Sequence, residues 1–103
     1  MSYKGSDLGQ DFKDFFRKEK KRLTNIFKEM GATDIKMDYG FYYFSGFLTS
    51  RNGQVYYFSC SDVRHFGYNK LLIRTAKDYK DYSGGSNNHI GTTKDEITKF
   101  RLV

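Results

Sequence analysis

At 103 residues and a net charge of +6, the chain suits one domain with a single modest core and favours anionic partners. Its single cysteine, Cys60, excludes an internal disulfide and fits a reducing compartment. No apolar run approaches the roughly 20 residues of a membrane helix, and Met1-Ser2-Tyr3-Lys4-Gly5 lacks the apolar core of a secretory leader, so a cytoplasmic location is expected.

Asp7 followed by Gln10 forms a capping-box pattern. Apolar residues then recur at Leu8, Phe12, Phe15, Phe16, Leu23, Ile26, Phe27 and Met30, the spacing of one helix face, and Gly31 supplies a left-handed C-cap. The opposite face is basic, carrying Lys13, Arg17, Lys18, Lys20, Lys21, Arg22 and Lys28. Glu19 falls in the middle of the apolar stripe, where an unpaired carboxylate is costly. Either the helix overhangs the sheet there, or Glu19 meets a tyrosine hydroxyl or a guanidinium from a strand, with Arg64 and Arg74 as candidates.

Ile35, Met37 and Tyr39 alternate with polar residues as a first short strand. Two aromatic arms follow, Phe41 to Thr49 and Val55 to Cys60, with Asn52-Gly53 between them as a hairpin turn. A two-residue loop there pairs Thr49 with Tyr56, Leu48 with Tyr57 and Phe47 with Phe58. One hairpin face then shows Tyr43, Phe47, Tyr56, Phe58 and Cys60, and the other Phe44, Leu48, Val55 and Tyr57. One face would pack on the helix, and the other would form an aromatic platform or seat a small C-terminal helix. Gly46, in mid-strand, marks a bulge or a close approach. Residues 71–75 predict a fourth, central strand, and residues 77–88 a polar loop that is long for a small domain. Thr93-Lys94-Asp95-Glu96 opens a last short helix to about Arg101. The expected fold is α+β over residues 1–103 as a single domain. In it an N-terminal amphipathic helix packs on an antiparallel sheet of about four strands, with a short helix at the end.

Catalytic signatures are weak. Asp62 and Arg64, two apart, would share one face of a strand and pair, leaving His65 on the other side. A Cys60–His65 nucleophile pair lacks an orienting third group. Cys60, His65 and His89 lack metal-ligand spacing. Gly84-Gly85 precedes neither a helix nor a phosphate-binding lysine. Tyr39-Gly40-Phe41-Tyr42-Tyr43-Phe44 invites comparison with the aromatic strand of RNA-recognition motifs, but the initial basic residue and the βαββαβ order are missing. No catalytic residue, metal or cofactor is therefore assigned. What stands out is the interleaving of basic and aromatic residues at Arg74, Lys77, Tyr79, Lys80 and Tyr82, which suits phosphate contacts with stacking or a protein interface.

Tyr43-Phe44-Ser45-Gly46-Phe47, Tyr57 through Arg64, and Leu72 through Asn87 together resemble small accessory proteins of bacterial phages and integrative mobile elements. The resemblance covers about residues 39 to 88 and does not place the N-terminal helix. It implies a setting rather than site residues: such proteins often bind host nucleic-acid machinery, anti-CRISPR inhibitors among them. The leading expectation is thus a non-enzymatic inhibitor or modulator of a host nucleic-acid-processing protein or nucleoprotein complex. Its expected binding residues are Asp62, Arg64, Arg74, Lys77, Tyr79, Lys80 and Tyr82, with Asp62 orienting Arg64. The alternatives are direct binding of single-stranded or structured RNA or DNA, a small metal-dependent nuclease, and a homodimer formed through an exposed aromatic face.

Overall fold

Phe12, Phe15, Phe16, Leu23, Ile26 and Phe27 are buried along one side of helix α1 (Gln10–Glu29), as their spacing predicts. The helix closes at Gly31 (φ +103°), with the Ala32 amide donating to the Phe27 carbonyl at 2.9 Å. The computed structural model describes residues 10–40, 42–61, 63, 68–82 and 84–102, apart from the side chains of Gln10 and Asp11. The expected N-cap at Asp7 lies outside these residues.

The sheet is an antiparallel meander of five strands among the described residues, in the order β1 (Asp34–Tyr39), β2 (Phe44–Thr49), β3 (Val55–Cys60), β4 (Lys70–Ala76) and β5 (Asn88–Gly91). The fold is therefore α+β as expected, with five strands rather than four. The added strand β5 forms within the end of the polar loop and the residues after it, where Leu71 pairs with Ile90 and Leu72 with His89. A short helix α2 (Lys94–Lys99) follows, opened by the predicted capping box: the Glu96 amide donates to Thr93 Oγ1 at 3.2 Å, and the Thr93 amide to Glu96 Oε1 at 3.4 Å. Among the described residues no helix is long and apolar enough to cross a membrane.

The hairpin register corrects the sequence reading. Leu48 pairs with Tyr56, Phe47 with Tyr57 and Gly46 with Phe58, one residue away from the expected pairing. The Ser50 amide donates to the Gln54 carbonyl (2.8 Å) and the Gly53 amide to the Ser50 carbonyl (3.0 Å), so the loop is residues 51–53. A two-residue type I′ turn needs positive φ at both central positions. Here Gly53 alone takes it, at +93°. Asn52 instead turns its side chain inward, where Oδ1 accepts from Ser50 Oγ (2.6 Å) and the Gln54 amide (3.2 Å). A shift of one residue moves one arm's side chains to the other face. Phe44, Leu48, Tyr56 and Phe58 thus lie together under α1, with the rings of Phe27 and Phe58 5.0 Å apart, while Phe47 and Tyr57 share the opposite face.

Gly46 is a close approach rather than a bulge. A Cβ there would collide with the Lys36 carbonyl and lie 2.7 Å from the Phe58 ring. Glu19 is buried, and its partner comes from its own helix rather than from a strand. Arg22 donates to Oε1 from Nε (3.0 Å) and to Oε2 from Nη2 (2.8 Å), and its Nη2 also reaches the Thr92 carbonyl (2.7 Å). The hydrogen bond to Glu19, followed by the carboxylate's charge, holds the Arg22 proton more firmly than usual, against an opposing effect of burial.

Candidate binding face

Strand alternation leaves the sheet with one face under α1 and one face away from it. Across the second face Lys36, Phe47, Tyr57 and Arg74 stand side by side on β1 to β4. The loop after β4 folds back over this row. Tyr79 stacks on Phe47, with ring centroids 5.5 Å apart and planes inclined by 14°. Its hydroxyl donates to the Asp34 carbonyl (3.1 Å) and accepts from Thr49 Oγ1 (2.7 Å), so one side chain ties the loop to β1 and β2. Burial raises the Tyr79 pKa. The Lys36 ammonium lies 5.5 Å from the centre of the same ring.

Arg74 is 4% exposed. Its guanidinium stacks on Tyr57 at 4.4 Å and donates to the carbonyls of Asp81 (2.9 Å) and Thr75 (3.2 Å). It is committed to the interior, where it anchors the returning loop. Asp81 Oδ2 accepts from the Lys77 amide (2.9 Å) and Asp78 Oδ1 from the Lys80 amide (2.8 Å), which closes the segment into successive tight turns. The side chains of Lys77 and Lys80 are exposed.

Tyr82 ends the segment. It meets Phe47 and Tyr57 edge-on, at 5.4 and 5.8 Å, and remains 68% exposed. Beside it a groove of about 290 Å³ is lined by Lys36, Asp38, Ser45, Phe47, Tyr79 and Tyr82, among others. Five of the residues singled out from the sequence, Arg74, Lys77, Tyr79, Lys80 and Tyr82, therefore belong to one strand end and the loop leaving it. Asp62 and Arg64 lie outside the described residues, as does His65. Sequence reasoning did not place Lys36, Phe47 and Tyr57 at the site. The signal for Lys36 was its alternation with Ile35 and Met37, which points it away from the helix. The signal for the two rings was lost with the hairpin register.

Cys60 is buried on the helix side, and burial, followed by Glu19, pushes its thiol up to about 12. It is not a thiolate at neutral pH, and thiolates are the reactive form. Among the described residues no three His, Cys, Asp or Glu side chains gather as a metal site. Set against protein-family models, curated proteins and solved structures, the chain matches none of them.

Proposed function

We propose that this protein is a non-enzymatic binder acting in the cytoplasm, which occupies a host nucleic-acid-processing protein or its nucleoprotein complex and thereby inhibits or modulates it. The setting comes from the resemblance to accessory proteins of mobile elements, anti-CRISPR inhibitors included. The observation that carries the reading is Tyr82. It is a large ring held against Phe47 and Tyr57 yet left 68% exposed at the lip of a groove. A rigid aromatic residue with a polar tip, flanked by charges, is the usual anchor of a protein interface. Lys36 and Asp38 line the groove with it. Acidic and basic residues are mixed along the flanking segments, Asp34 on β1 and Lys77, Asp78 and Lys80 in the loop, which suits a mixed protein surface better than a bare phosphate backbone. Capture from host lysate by the wild-type protein, Tyr82→Ala and Lys36→Glu tests this. The expected result is retention of a nucleic-acid-processing protein by the wild type and its loss from both variants, with their unfolding midpoints unchanged. Retention by all three would refute the platform.

A second reading, direct nucleic-acid binding, is favoured by the exposed ridge of Lys13, Arg17, Lys20, Lys21 and Lys28 on α1. It requires binding to naked single- or double-stranded DNA or RNA that falls steeply between about 50 and 200 mM salt.

A further inference from the structure

The open face of the sheet has a second recess, next to the aromatic row, that holds none of the residues favoured from the sequence. Strands β3, β4 and β5 bring Ser59, Leu72 and His89 into register. Lys70, two residues before Leu72 on β4, projects to the same face. With Ser61 and Asn69 they line a recess of about 330 Å³.

The lining is rich in hydrogen-bond donors and carries the positive charge of Lys70. The hydroxyls of Ser59 and Ser61, the Asn69 amide, the Lys70 ammonium and the His89 imidazole can all donate hydrogen bonds. No carboxylate lines the recess among the described residues. A cation would face the Lys70 ammonium with no carboxylate among these residues to offset it, and an apolar ligand would find little beyond Leu72. Neutral donors lining one recess beside an ammonium suit a tetrahedral oxyanion, which accepts hydrogen bonds on every oxygen. Cys60 contributes to the wall, but its thiol is buried on the helix side.

We propose that this recess is a phosphate-binding site, taking either a backbone phosphate of a nucleic acid or a phosphomonoester. Ser59 follows Tyr57 by two residues on β3, so the recess begins about 7 Å from the row that Tyr82 covers. A backbone phosphate seated there would belong to a chain passing the aromatic platform, which suits the nucleic-acid part of a nucleoprotein complex. The site goes beyond the binding platform proposed above. It shares no residue with the Tyr82 groove, so either one can fail alone.

Amide chemical shifts of the 103-residue chain, followed as inorganic phosphate is added against sodium chloride of matched ionic strength, provide the test. Saturable changes at Ser59, Asn69, Lys70 and His89 with phosphate and not with chloride are expected. Lys70→Gln should weaken the apparent affinity about tenfold, the loss of one charge-assisted contact. His89→Asn should weaken it as well, and both variants change exposed side chains and should keep the native peak dispersion. Adenosine monophosphate and a short oligothymidylate without a terminal phosphate separate the two sources. Tighter binding of the oligonucleotide assigns the site to backbone phosphate, and binding of inorganic phosphate and the monophosphate alone assigns it to a monoester. An absence of saturable change at these amides, changes confined to the lysines of α1, or equal binding by Lys70→Gln would each overturn the proposal.

Discussion

Burying Glu19 on the inner side of α1 strips a carboxylate of water, and Arg22 is the group that compensates it. Arg22→Ala leaves that charge uncovered, and urea denaturation should show a loss of about 2 kcal/mol. This is less than for a fully buried pair, because part of the arginine meets solvent. Glu19→Leu combined with Arg22→Leu should recover most of the loss, since an apolar pair costs nothing to desolvate. Cys60 lies close enough to Glu19 to feel its charge. Because its pKa is raised from 9.0 to about 12, the unfolded chain releases this proton earlier than the folded one. Cys60 therefore leaves stability unchanged below about pH 9 and lowers it as pH rises from there through about 12. Denaturant midpoints at pH 7 and pH 10 should show the decline, and Cys60→Ala should reduce it. Buried Tyr68, whose pKa is raised first by burial and next by Glu19, adds to the alkaline slope and keeps some of it in the variant.

The elements were legible in the sequence to different depths. α1, its Gly31 stop and the Thr93 capping box could be read because each is local: the periodicity and the caps lie within a few residues of the chain. The hairpin's existence was equally local. Its register was not, because Asn52-Gly53 serves both a two-residue and a three-residue loop, and the Asn52 side-chain bonds to Ser50 and Gln54 decide between them. β5 was missed because Asn88-His89-Ile90-Gly91 has poor strand propensity and is extended by its pairing with β4. The loop after β4 read as a basic and aromatic surface because composition cannot show that Arg74 turns inward. Arg74→Ala should therefore act on this element. Hydrogen exchange at the Lys77 amide should quicken by one to two orders of magnitude, the loss of roughly 1.5–3 kcal/mol of local charged hydrogen bonding. Exchange in β2 and β3 should change little. Uniform acceleration across the sheet would place Arg74 in the global core instead.

At the scale of the whole molecule, the sheet divides its labour between two faces. One carries the core with α1 and α2, and the other offers an aromatic lip and a donor-lined recess in adjacent rows. A meander with hairpin neighbours keeps its strand pairings near in sequence, which favours fast folding. The chain has no proline. Refolding from urea should then proceed without the phase of tens of seconds that prolyl isomerisation imposes. A slow phase insensitive to protein concentration would contradict this.

Because Tyr79, Arg74 and Asp81 already pin the segment before Tyr82, the ring reaches a partner with most of its freedom spent during folding. Association then forfeits little chain entropy. Loosening the pins should shorten the lifetime of a complex far more than it slows the first encounter.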